Sequence, residues 1–132
     1  SGVPDHLVIH AVGKRLFLEM RDAGAQYLQR LAFFVLCKQF NCPPAGSIHN
    51  LHLNDLQSVD CVVAAQPKDR EVFLRALDCY VTYQKVIRDS GVKQTISDRV
   101  CFEFFQENMD PPVSDIGMFL RSNSMSKVLI QS

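Results

Sequence analysis

An all-α fold, a compact antiparallel bundle of six or seven helices, is the class this sequence predicts. Three observations point there. Apolar residues recur at helical spacing in most segments, proline and glycine divide the chain into helix-length pieces, and no heptad pattern is sustained that would make a coiled coil instead. The competing class is α+β, with an N-terminal β-hairpin at residues 6–20.

The first segment, Asp5 to Asp22, places Ile9, Val12, Leu16, Phe17 and Met20 on one helical stripe, with Asp5 as cap and Gly24 as stop. The hairpin alternative has its own logic. Gly13-Lys14 suits a type II′ turn, and Arg15, Phe17 and Glu19 alternate with Leu16, Leu18 and Met20. The second segment, Ala25 to Phe40, is apolar around nearly its whole circumference. It reads as a buried central helix, with Leu31 and Phe34 among the least exposed residues. Pro43-Pro44-Ala45-Gly46 ends it.

Asn54, with Gln57 three residues on, resembles a capping box for a helix carrying Leu56, Val59 and Val63. Pro67 then takes the first position of the longest helix, with Asp69 and Glu71 in its first turn and Ser90-Gly91 as its end. Ser97 caps a helix through Asn108, and Ser114, behind Pro111-Pro112 and Val113, caps another short one. "SMSKVLIQ" near the end suits a last helical turn or an edge strand.

A chain of 132 residues is about one domain, and one this long buries enough surface for a core without disulfide staples. Fourteen basic residues balance fourteen acidic ones. This neutrality removes the basic excess that drives nucleic-acid binding, and no polybasic run marks a membrane surface. No apolar run approaches the roughly 20 residues of a membrane span. The five cysteines, Cys37, Cys42, Cys61, Cys79 and Cys101, are odd in number and mostly lie in apolar stretches. They predict free, reduced thiols and a cytoplasmic or nuclear protein. The Ser1-Gly2 start suits a single domain excised from a larger protein.

Four groups of residues invite a chemical reading. Cys37, Cys42, His49 and His52 fall within sixteen residues. Their spacing, Cys-x4-Cys and His-x2-His, only partly matches zinc ligand pairs, and a helix, a stop and a loop account for them. His6 and His10 stand one helical turn apart and could serve a cysteine nucleophile, but no local signature supports a thiolate. Glu103 and Glu107, like Asp110 and Asp115, fit a solvated face and caps. Basic residues such as Lys68, Arg70, Arg75 and Lys85 are interrupted by Asp69, Glu71 and Asp78. No catalytic residue, cofactor or metal is therefore expected.

The expectation by elimination is a non-enzymatic helical module for protein–protein interaction or dimerisation, an adaptor or scaffold. Its partner would be another protein or peptide segment, or a second copy of itself, with neither nucleic acid nor membrane. The alternative is a helical nucleic-acid-binding domain, or a folded part of a larger enzyme or viral protein. On a helix over residues 97–108 the apolar arc is wider than one core contact needs. Phe102, Phe105 and Met109, with Met118 beyond the prolines, are therefore the expected partner-binding residues, since aromatic and Met side chains are enriched at interfaces.

Overall fold

The computed structural model describes residues 4–46 and 52–120. The chain begins with helix α1 (Pro4–Asp22) and strand β1 (Ala32–Cys37), followed by the short strand β2 (Leu53–Asn54), a 3-10 turn (Leu56–Ser58) and strand β3 (Cys61–Ala64). Helix α2 (Pro67–Asp78), a second 3-10 turn (Val81–Tyr83), α3 (Gln84–Ser90) and α4 (Val92–Thr95) come next, and β4 (Arg99–Phe104) completes the sheet. The class is α+β, not a bundle of six or seven helices. The described residues form four helices and one four-stranded mixed sheet in the order β2-β1-β4-β3. The sheet does not come from an N-terminal hairpin, because residues 6–20 are helical.

Two of the expected helices are strands, and the cause is the same in both. Residues 32–37, "AFFVLC", are too few to distinguish a buried strand from a helical segment by periodicity. Residues 99–104, "RVCFEF", alternate strictly: Arg99, Cys101 and Glu103 fall on one side of a strand and Val100, Phe102 and Phe104 on the other. β4 pairs antiparallel with β1 on one side (Phe34 opposite Phe102, Val35 opposite Cys101) and with β3 on the other (Cys61 opposite Phe102, Val63 opposite Val100). Backbone groups in a central strand are thus satisfied on both edges, an outcome local helix signals do not foresee. Phe34, expected in the core, is 63% exposed, and Leu31 is half-buried.

The remaining corrections are smaller. In place of a helix capped by Asn54, Asn54 ends β2, and a single 3-10 turn follows behind Asp55, which makes no side-chain cap bond. The long helix from Pro67 breaks at Cys79–Tyr83, where the Gln84 side-chain amide donates to the carbonyls of Leu77, Asp78 and Tyr80. Between Ser114 and Leu120 the described residues form turns in place of the expected short helix. "SMSKVLIQ" lies outside the described residues.

Other local signals are in place. α1 ends in a Schellman arrangement around Gly24, whose φ is +93°: the Gly24 N–H donates to the Arg21 carbonyl and the Ala25 N–H to that of Met20. Pro67 opens α2, and the Asp69 carboxylate accepts the Gln66 N–H at 3.0 Å. Gly91, at φ +64°, ends α3.

Each face of the sheet carries its own core. Cys37 and Cys101 pack with Val59 on one face, with Val35, Phe40, Leu56 and Val62 around them. Cys61 and Phe104 pack with Val113 on the other, with Met109, Ile116 and Met118 from the segment after β4. Two buried polar anchors hold that segment. Asp60 accepts the N–H of Phe104 at 2.7 Å and of Met109 at 2.8 Å. The Arg30 guanidinium lies 4.1 Å from the Phe104 ring centroid, binds both Glu107 carboxylate oxygens, and donates to the carbonyls of Ile116 and Met118.

Phe104→Ala should cost about 3–5 kcal/mol in urea unfolding, whereas Phe34→Ala should cost far less. Arg30→Met should cost about 3–5 kcal/mol, because its loss leaves Glu107 unpaired against the return segment. An Arg30→Met midpoint equal to that of the parent would show that the clamp adds nothing.

Candidate interaction surface

α1 rests on the sheet by one side only. Phe17, its single buried residue, meets Phe105 edge-on with ring centroids 6.3 Å apart. The His10 ring lies 4.1 Å from that of Phe33. Between them the Lys14 ammonium sits 5.5 Å from the Phe33 centroid and 5.2 Å from that of Phe105, a cation over two aromatic faces. His10, Lys14 and Phe17, spaced four and three residues apart, make this the docking side of the helix.

The opposite side is also apolar and has no cover among the described residues. Val8, Ile9, Val12 and Leu16 are 52–69% exposed. At about 100° per residue they form one continuous strip. Asp5 and Glu19 fall on the same arc and close its two ends, and Glu19 pairs with Arg15 at 2.6 Å. Scattered exposed apolar residues are ordinary, but a contiguous helical strip is the kind of patch that marks an interaction site.

α2 repeats the pattern. It buries none of its residues. Val72 and Phe73, 54% and 45% exposed, share a side with Ala76 and Leu77, and Tyr80, 59% exposed, stands in the turn that follows the helix. Lys68 and Arg70 stand at its N-terminal end, exposed. The sequence pattern shows both helices to be amphipathic, and neither finds cover for its stripe in the described fold.

The four residues expected to bind a partner do not gather on one open face. Phe102, Met109 and Met118 are half-buried and pack around the Phe104 core cluster. Phe105 follows on β4 with the opposite strand parity and points to α1, where it meets Phe17. Of the set, Phe102 stands beside the exposed Phe34, with ring centroids 6.4 Å apart.

Among the described residues no three His, Cys, Asp or Glu side chains come together as a metal site would require. Cys37 is buried in the core, Cys42 and His52 are exposed, and His49 lies outside the described residues. All five thiols are free; Cys37, Cys61 and Cys101 are buried, Cys42 and Cys79 exposed. Burial pushes the Cys61 thiol up, and burial together with the adjacent Cys37 pushes Cys101 up to about 11. Such thiols are poor nucleophiles. A cleft of about 510 Å³ runs between Arg21, Gln26, Arg30, Glu107 and Leu120, but its central guanidinium is already committed to Glu107 and two carbonyls. Many surface cations stand next to acids: Lys38 with Asp55, Lys85 with Asp89, Lys93 with Asp78, Arg99 with Asp98. No helix among the described residues is long and apolar enough to cross a membrane.

Comparison with protein-family models, with curated proteins and with solved structures finds no match to this chain.

Two thiols, Cys42 and Cys79, should react quickly with a disulfide reagent in the native protein, and the other three only on unfolding. Folding raises the Cys101 pKa from 9.0 to about 11, so the unfolded state gives up this proton first. The corresponding stability is complete below pH about 9 and is lost as pH rises toward about 11. Denaturant midpoints across that range should therefore fall less steeply for Cys101→Val than for the parent. Equal slopes would remove Cys101 from the account.

Proposed function

We propose that this domain is a non-enzymatic protein-interaction or dimerisation module, an adaptor or scaffold, and that the outward strip of α1 is its docking face. One observation carries the reading: Val8, Ile9, Val12 and Leu16 form an open apolar strip on a helix whose other side is already anchored through Phe17. Apolar side chains spaced three and four residues apart are what a helix offers to another helix or to a groove. The reactive-group chemistry argues the same way, since burial keeps the Cys61 and Cys101 thiols protonated. Nucleic acid is disfavoured by the neutral charge balance and by the surface cations paired with acids.

A photo-reactive amino acid at Val12 tests the proposal. In cell lysate it should cross-link to protein. Adding Ile9→Glu and Leu16→Glu to the same chain should remove the product while the far-ultraviolet circular dichroism stays unchanged. No product, or a product that survives both substitutions, refutes the docking face.

A further inference from the structure

We infer that the strip on α1 is covered by α2 of a second copy of this chain, the two copies packing about a two-fold axis. The inference rests on the interaction reading above and names its partner. A two-fold contact is self-complementary: if α1 touches α2 of the second copy, α2 touches that copy's α1. One interface thus covers both amphipathic helices that the described fold leaves open.

Spacing fits this pairing. Ile9, Val12 and Leu16 are separated by three and then four residues. Tyr80, Leu77 and Phe73, taken in reverse order, are separated by three and then four. Laid antiparallel, Val12 meets Leu77 of the second copy and Leu16 meets its Phe73 in one register, with Ile9 toward Tyr80 in the turn just beyond α2. Antiparallel packing also opposes the two helix dipoles.

Charge favours α2 over a second α1. The α1 strip ends in Asp5 and Glu19, so two such strips set acid against acid in either direction: Asp5 on Asp5 when parallel, Asp5 toward Glu19 when antiparallel. In the α1–α2 register Glu19 instead meets exposed Arg70 of the second copy. Exposure agrees as well. Val8, Ile9, Val12 and Leu16 on one side and Val72, Phe73 and the adjacent Tyr80 on the other, each about half exposed or more, supply apolar surface for such an interface.

Light scattering on the purified chain tests the inference. The expected mass is twice 14.9 kDa. Leu16→Glu and Phe73→Glu should each return it to 14.9 kDa with unchanged circular dichroism. Glu19→Arg and Arg70→Glu should each weaken the dimer by up to roughly tenfold, the effect of two exposed ion pairs, and the two combined in one chain should restore it. A dimer indifferent to Phe73→Glu, or a charge exchange that does not restore it, overturns the pairing. A chain that stays monomeric at every concentration overturns it too. If the Val12 probe still captures a different protein, only the second-copy assignment falls; if it captures nothing, the interaction reading falls with it.

Discussion

The Arg30 guanidinium holds the second face of the sheet together. Its side chain is only 3% exposed, yet it keeps its charge, because hydrogen bonding to Glu107 raises its pKa further against the opposing effect of burial. A planar group with a fixed fork of donors can bind a carboxylate two-pronged while donating elsewhere, which an ammonium on a flexible stem cannot do in one geometry. Here the fork reaches Glu107, Ile116 and Met118 from a base on the Phe104 ring. Among the described residues the segment after β4 pairs with the sheet at one isolated bridge, between Val113 and Cys61. Without strand pairing of its own, it depends on Arg30 at one point and on Asp60 at another. Together they bring Met109, Val113, Ile116 and Met118 over the sheet, so two charged side chains decide where an apolar core closes.

That division of labour explains why the helical surface is left open. The sheet satisfies its two faces with short-range means: a 3-10 turn and Phe40 on one, the clamped return segment on the other. α1 then needs only Phe17, His10 and Lys14 to dock, and α2 is tied to its neighbours by polar contacts, the Gln84 amide and the Lys93–Asp78 ion pair. Neither helix must spend its apolar stripe on its own fold. In many small α+β domains such stripes complete the core; here they remain available for contact with something else.

Much of the punctuation was legible in the sequence, and most of the topology was not. Gly24 stops α1, Pro67 and Asp69 start α2, and Ser90-Gly91 stops α3, because caps and stops act through groups a few residues apart, whereas Asp5, expected as the cap of α1, lies inside its first turn. The strands are less legible because their decisive partners are distant in sequence. "AFFVLC" becomes a strand by having β4 beside it, and the phenylalanines of "RVCFEF" fit a helical arc as well as they fit a two-residue alternation. The candidate site shows the same limit. Ile9, Val12 and Leu16 are legible as a helical stripe, but the same stripe includes Phe17 and Met20. Which side of α1 the sheet takes is decided by Phe33 and Phe105, and no pattern within the helix records it.

Because β4 is the last strand among the described residues and lies between β1 and β3, this sheet has a fixed order of assembly during synthesis. β1 emerges early, and until Arg99–Phe104 leaves the ribosome its only sheet partner is the two-residue β2. "AFFVLC" is uncharged, rich in β-favouring side chains and free of proline, the make-up of an aggregation-prone segment. It must wait through the synthesis of β3, α2, α3 and α4 before it can pair fully. Pairings this distant in sequence form slowly even in the finished chain. During synthesis this apolar strand therefore stays largely unpaired until β4 arrives, and unpaired strand edges of this kind are where nascent chains aggregate.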